Sequence, residues 1–307
     1  MPHKPIRSIL IGNGVNQLDG GPKWEELMNR LTTAAGVDSE LVSGLEHKPF
    51  PLVYETILNA FDDKKMGKRE PDLKKLVAET LQNLCSNEYH RRLARLPIDE
   101  ILTTNYDYGF EKALTDGSGE RRPPKRETKY SVFRNRKAGK MRIWHIHGEL
   151  EQPWSICLGT DHYTGYVAAI RELLLARGRV AEEGDQDRER TLGIVAKGLL
   201  RLWQTGTIES WIDCFFTGRM DIVGFGADYT EMDFWWLLNI RARQSRNIGL
   251  PLGDITFHCL KPARNEHREV ARLQVLENLC VTVKRYPIRG SDRHRLLYDE
   301  FIKNYPG

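Results

Sequence analysis

The chain has 307 residues, of which 40% are hydrophobic and 29% charged, with a formal net charge of +4. That content suits a sizeable core in one domain, or a domain with a substantial insertion, and excludes intrinsic disorder. No apolar run reaches membrane-spanning length, the N-terminus lacks the regions of a signal peptide, and the charge does not demand a nucleic-acid partner, so a cytoplasmic protein is expected. The five cysteines, Cys85, Cys157, Cys214, Cys259 and Cys280, include no CxxC pair. This argues against a disulfide framework and a structural zinc site.

In chain order, residues 8–16 (SILIGNGVN) read as an apolar strand running into a GxG turn, followed by Trp24, Leu27, Met28 and Leu31 at helical spacing. Strand, glycine turn and helix form a phosphate cradle when backbone N–H groups face an anion near a helix N-terminus. The third glycine of GxGxxG is replaced by Gln17, and no acidic strand end follows about 20 residues on. A plain tight turn is the other reading. From about 24 to 96 the pattern is helical. Within it Asp72 is placed as the N-cap of a helix carrying Leu73, Leu76, Val77, Thr80 and Leu84 on one face.

Residues 101–107 (ILTTNYD) end an apolar strand in a cluster of short polar side chains. In open α/β sheets ligands bind beyond the carboxyl ends of such strands, which would put Asn105 and Asp107 at a site. An Asx-type turn capping the next helix explains the same residues. Residues 117–140 are strongly basic, including Arg121, Arg122, Lys125, Arg126, Arg134 and Arg136. They read as a solvated loop, or as a contact for nucleic acid or an acidic partner.

Residues 141–148 (MRIWHIHG) form another strand, and alternation places His145 and His147 on one face. Two imidazoles so spaced could bind a metal with Asp161 or His162 as further ligands. Alternatively His147, beside Gly148 at the strand's end, is a general base and His145 a core histidine. The stretch 160–212 is again helical, a pair hinged by the charged break 182–190. Residues 220–226 (MDIVGFG), 254–260 and 280–286 are three further strands with a helix over 265–278, in βαβ order.

The ordered set GNGVN, TTNYD, HIHG and VGFGADYTEMD resembles the sirtuin-like (silent information regulator type) superfamily, from Ile9 to about Tyr286. The two CxxC pairs of a deacylase sirtuin are missing. The forms TTNYD and HIHG, with Gly20, Pro22 and Trp24 in a GxPxW-like element, are similar to the bacterial NAD-hydrolysing branch found in antiphage defence. The resemblance implies an α/β fold, a Rossmann-like parallel sheet of about six strands with helical insertions and no zinc ribbon. It implies one sirtuin-like domain over 1–307, with helical modules at about 24–96 and 160–212.

It also implies roles. Gly12, Gly14 and Asn16 would hold the NAD pyrophosphate, Asn105 and Asp107 would lie near the nicotinamide ribose and carboxamide, His147 would be the base, and Gly224 and Gly226 would border the adenine-side ribose. The expected activity is NAD glycohydrolysis, giving nicotinamide and ADP-ribose or a cyclic form, as the toxic effector of an abortive-infection system. NAD is then substrate rather than cofactor, and no metal is required. With no sensor domain recognised beside the motifs, control would fall to homo-oligomerisation or a separately encoded sensor protein. Two other readings stand beside it: a non-catalytic binder of an NAD-derived signal, and a metal-dependent hydrolase using His145, His147 and Asp161.

Overall fold

The computed structural model describes residues 5–37, 40, 44, 48–60, 69–122, 128–182, 194–249, 253–263 and 265–306. Its strands are β1 (Arg7–Ile11), β2 (Glu100–Thr103), β3 (Glu120–Arg122), β4 (Asn135–Ala138), β5 (Met141–His145), β6 (Arg219–Val223), β7 (Asp254–Leu260) and β8 (Thr282–Tyr286). Before β2 come α1 (Gly14–Gln17), α2 (Trp24–Ala35), α3 (Phe50–Ala60), α4 (Arg69–Leu81) and α5 (Glu88–Ala94), and α6 (Gly109–Leu114) follows it. After β5 come α7 (Thr160–Glu182) and α8 (Ile194–Thr205); α9 (Met232–Ile248), α10 (His267–Asn278) and α11 (Arg293–Lys303) interleave with the last strands.

The strands form one sheet in the order β3-β4-β5-β2-β1-β6-β7-β8. The six from β5 to β8 pair in parallel, as expected for buried strands joined by helices. The sheet has eight strands rather than six because β3 and β4 add an antiparallel hairpin at one edge. That hairpin comes from the basic stretch, which is not wholly a solvated loop. Arg134 and Arg136 are buried. Arg136 donates to Glu149 at 2.6 Å, to the Tyr108 hydroxyl at 3.2 Å and to Glu151, so partners replace the water that a guanidinium otherwise needs. Lys125 and Arg126 lie outside the described residues, as does the charged break 183–190.

Strand alternation supplies two cores. Leu10, Leu102, Trp144 and Ile222 point to the layer that includes Ile170, Leu199 and Leu237 of α7, α8 and α9. Ile9, Ile11, Ile101 and Ile143 point to the layer that includes Leu93, Phe110 and Phe301 of α5, α6 and α11. A third cluster, built on Leu27, Leu31, Val53, Ile57, Leu73 and Val77 of α2, α3 and α4, also takes in Tyr106, Ile156 and Leu158 from the loops after β2 and β5. The helical module is thereby fixed over the carboxyl edge of the sheet. In α4 the helix begins at Arg69, so Asp72 stands inside the first turn instead of at the N-cap, where it still complements the helix dipole.

β1 lies between β2 and β6, with Leu10 opposite both Leu102 and Ile222. The chain leaves β1 toward β2 on one side and leaves β6 toward β7 on the other. Such a reversal opens a crevice at the carboxyl ends of β1 and β6.

Candidate active site

Two glycine turns meet in that crevice. Gly14 N–H donates to Gly224 O at 3.0 Å, and a Cβ on Gly12 or Gly14 would stand 2.8 Å from that oxygen. Gly224 itself has φ +65, and a Cβ there would overlap the Tyr298 hydroxyl. Both backbone conformation and close approach therefore require glycine at position 224. Gly226 has open space around it and carries no such requirement.

Asn105, just past β2, donates through Nδ2 to Gly12 O at 3.3 Å, while its N–H bonds Thr103 Oγ1. Asn16 Nδ2 donates to Asp107 Oδ2 at 2.7 Å and to Asn13 Oδ1 at 3.1 Å. The other Asp107 oxygen accepts the Gly109 N–H at 2.9 Å, an Asx-type turn opening α6. Asp107 thus serves the local turn and still reaches the site.

The two histidines do not share a face. β5 ends at His145, and Ile146 and His147 form a turn, so strand alternation lapses before the second imidazole. His145 is buried among the β2–α6 groups, with Nδ1 3.1 Å from Asn105 O and Nε2 2.8 Å from Glu111 Oε1. Gly148, with φ +101 and Ser155 O where a Cβ would sit, lets the chain reverse immediately after His147. His147 is then carried to the opposite layer, against the rings of Tyr163 and Tyr166.

There His147 Nε2 donates to Asp233 Oδ2 at 2.9 Å, and Nδ1 lies 3.8 Å from Glu231 Oε2. Burial alone holds an imidazole neutral, but Asp233 and then Glu231 outweigh it and raise His147 above its ordinary value. Burial pushes the Glu231 carboxyl up to about 7, with His147 opposing and Asp233 adding to the rise. Glu231 Oε2 and Asp233 Oδ1 are sealed from solvent without a hydrogen-bond partner. Within the TEMD segment itself nothing marks these acids for a site. Two carboxylates at the start of a helix look like ordinary dipole complements.

His147, Glu231 and Asp233 present donor atoms within 4.8 Å of one another, so these three could hold a metal ion. The set His145, His147 and Asp161 is not assembled. Both nitrogens of His145 are engaged elsewhere, and Asp161 is exposed, beside the Tyr130 hydroxyl. His162 is committed too, accepting two backbone N–H groups at Nδ1 and donating to Glu70 at 2.7 Å.

A cavity of about 950 Å³ collects these groups. Gly14, Asn16, Asn105, Asp107, His147, Gly224 and Gly226 all line it; Gly12 does not, and its carbonyl accepts the Asn105 amide from behind that lining. Glu231 lines the end near His147; Lys261, Arg268 and Arg293, all exposed, line the end beyond β7. Open parallel α/β sheets take their ligands at such a switch point, and here apposed glycine turns, an amide and a buried imidazole share one cavity there.

Comparison with known proteins narrows this. Residues 99–181, from β2 to α7, match the SIR2-like domain family model. The chain is 28% identical over 159 residues to the NAD(+) hydrolase ThsA of Enterococcus faecium, covering 52% of this chain and 31% of that protein. To the ThsA of Cytobacillus dafuensis it is 29% identical over 163 residues, 52% of this chain and 30% of that protein. The matched stretch thus spans about a third of these relatives' own length. The segment that carries Asn105 and His147 is thus similar to a SIR2-like domain.

Proposed function

We propose that the protein cleaves the nicotinamide N-glycosidic bond of NAD. The observation that carries this is the single cavity in which Asn105 and His147 stand at one end and the Gly12–Gly14 and Gly224 turns in the middle. With its Nε2 proton given to Asp233, His147 has its lone pair on Nδ1 and can take a proton from water. Asn105 spends its amide N–H on Gly12, leaving Oδ1 to orient that water. Bond breaking passes through an oxocarbenium-like ribose. Because the nicotinamide ring leaves as a neutral molecule, the chemistry requires neither metal nor cofactor. Gly12, Gly14 and Asn16 serve the pyrophosphate, Asp107 the nicotinamide ribose, and Gly224 and Gly226 the adenosine side.

The name of the ThsA relatives, NAD(+) hydrolase, supports the substrate. We assign the protein to the effector side of antiphage defence, acting in the cytoplasm through a homo-oligomer or a separately encoded sensor, with ADP-ribose or a cyclic form as product. Among the described residues no helix is long and apolar enough to cross a membrane. One observation favours a second reading: the donor set His147, Glu231 and Asp233 suits a metal-dependent hydrolase.

Free nicotinamide released from NAD by the purified protein, measured with and without EDTA, separates these. Release unaffected by EDTA supports the proposal, and release lost to EDTA and restored by zinc supports the metal reading. NAD binding without release makes the protein a binding module.

A further inference from the structure

The cavity runs along the row of strand ends. Taking β5, β2, β1, β6 and β7 in sheet order, the groups met are His147, Asn105, the 12–14 turn, the 224–226 turn and Lys261. Four strand spacings of about 4.8 Å separate the two ends by about 19 Å. Lys261, Arg268 and Arg293 line the β7 end together with Glu266 and Glu269, so both signs of charge stand there. At the β5 end stands Glu231, whose place in the fold is unusual. It occupies the N-cap position of the 17-residue α9, yet its side chain makes no cap hydrogen bond. Glu231 lines the cavity instead, with Oε2 sealed from solvent, without a hydrogen bond, and 3.8 Å from His147 Nδ1. Of its other neighbours, Tyr163 offers a hydrogen bond, and none of Tyr163, Asp233, Asp228 and Cys157 supplies positive charge.

Holding a carboxylate oxygen out of water without a hydrogen bond is costly, and a further cation facing it lowers that cost. Within an oxidised nicotinamide dinucleotide the only positive charge is on the nicotinamide ring, and it is lost on reduction. Resting on the NAD reading, we propose that Glu231 is a specificity residue that recognises the charge of the oxidised ring, so that the cavity takes NAD and discriminates against NADH. The same carboxylate stays useful through the reaction. As the C1′–N bond breaks, its electron pair goes to the ring nitrogen and the positive charge passes to the ribose. Water adds to C1′ and releases one proton, giving nicotinamide and ADP-ribose.

The test compares binding of carbocyclic NAD, which keeps the cationic ring but resists cleavage, with binding of NADH by titration calorimetry. The wild-type protein, Glu231→Gln and Glu231→Asp are used, each checked for an unchanged melting transition. The wild type should prefer carbocyclic NAD by on the order of tenfold or more, as expected for one charge pair at low solvent exposure. Glu231→Gln should bring the ratio toward one, mainly by weakening carbocyclic NAD, and Glu231→Asp should keep most of the preference. A ratio near one in the wild type, or a preference that survives Glu231→Gln, overturns the role of Glu231 while leaving the NAD site standing. Failure of the wild type to bind either ligand overturns the dinucleotide reading and this inference with it.

Discussion

His147 and Asp233 meet at 2.9 Å although 86 positions separate them. The pair joins the turn after β5 to the first turn of α9, and it fixes which imidazole nitrogen is free for chemistry. Asp233 does not line the cavity, so it acts through His147 as a positioning residue.

Exchanging the two histidines for alanine should therefore separate in turnover. His147→Ala is expected to cut nicotinamide release by about a hundredfold to ten-thousandfold, with a lower melting temperature because buried Asp233 loses its partner. Asn105→Ala should behave similarly, since an unoriented water loses the advantage of position. His145→Ala strips Glu111, which is fully buried, of its partner and should cost about 3 kcal/mol of stability with residual turnover. A folded but inactive His145→Ala beside an active His147→Ala would reverse the assignment.

The pH profile should carry the mark of Asp233. The base must be neutral, and its folded-state pKa is raised, so kcat/KM should climb with pH along a limb centred above the ordinary histidine value of about 6.5. Asp233→Asn removes the main charge that raises it, and the limb should move down in pH while the maximum rate falls. Stability runs the other way. The contribution of protonated His147 is fully present below the unfolded-state pKa and is lost as pH rises through the folded one. A limb that stays in place in Asp233→Asn would separate this residue from proton transfer.

Glycine at 224 and glycine at 226 should differ in tolerance. Gly224→Ala places a methyl group on the Tyr298 hydroxyl at positive φ, and a loss of about 2 kcal/mol or more is expected, together with weakened NAD binding. Gly226→Ala meets nothing within 4 Å and should melt with the parent protein. Thermal denaturation of the two variants checks this directly.

The roof over the site should loosen in acid. Glu70 of α4 holds His162, Lys129 and Lys74, and hydrogen bonding from His162, against the opposing effect of burial, keeps its carboxyl far below the usual range. Because the folded-state pKa is depressed, the stability that Glu70 contributes is present above its unfolded value of about 4.3 and disappears as pH falls through the folded one. Glu70→Gln should lower the melting temperature at pH 7 and narrow its gap to wild type as the pH is lowered. A constant gap would mean that the carboxylate charge is irrelevant.

The parts legible in sequence were those where an apolar run stops abruptly in glycine or short polar residues. GNG, TTN and GFG marked the ends of β1, β2 and β6 for that reason. What stayed hidden depended on distant partners. Arg136 looked solvated until Glu149, Glu151 and Tyr108 closed around it. Glu231 and Asp233 looked like helix-end charges, because nothing local shows that a histidine from another strand will arrive between them. The facing of His147 was misread because the period of two ends with β5 at His145.

The central place of β1 has a consequence for the nascent chain. Ser8 pairs with Glu100 on one flank, and Arg7 with Arg219 on the other. Until β6 has been synthesised, β1 is a bare edge, and the partner turn at Gly224 and the acids at 231 and 233 do not yet exist. Long-range parallel pairing of this kind forms late and cooperatively. A ribosome-bound or prematurely terminated chain ending before β6 therefore displays Asn105 and His147 without the groups that complete the cavity, so the assembled site exists only once synthesis has passed that point.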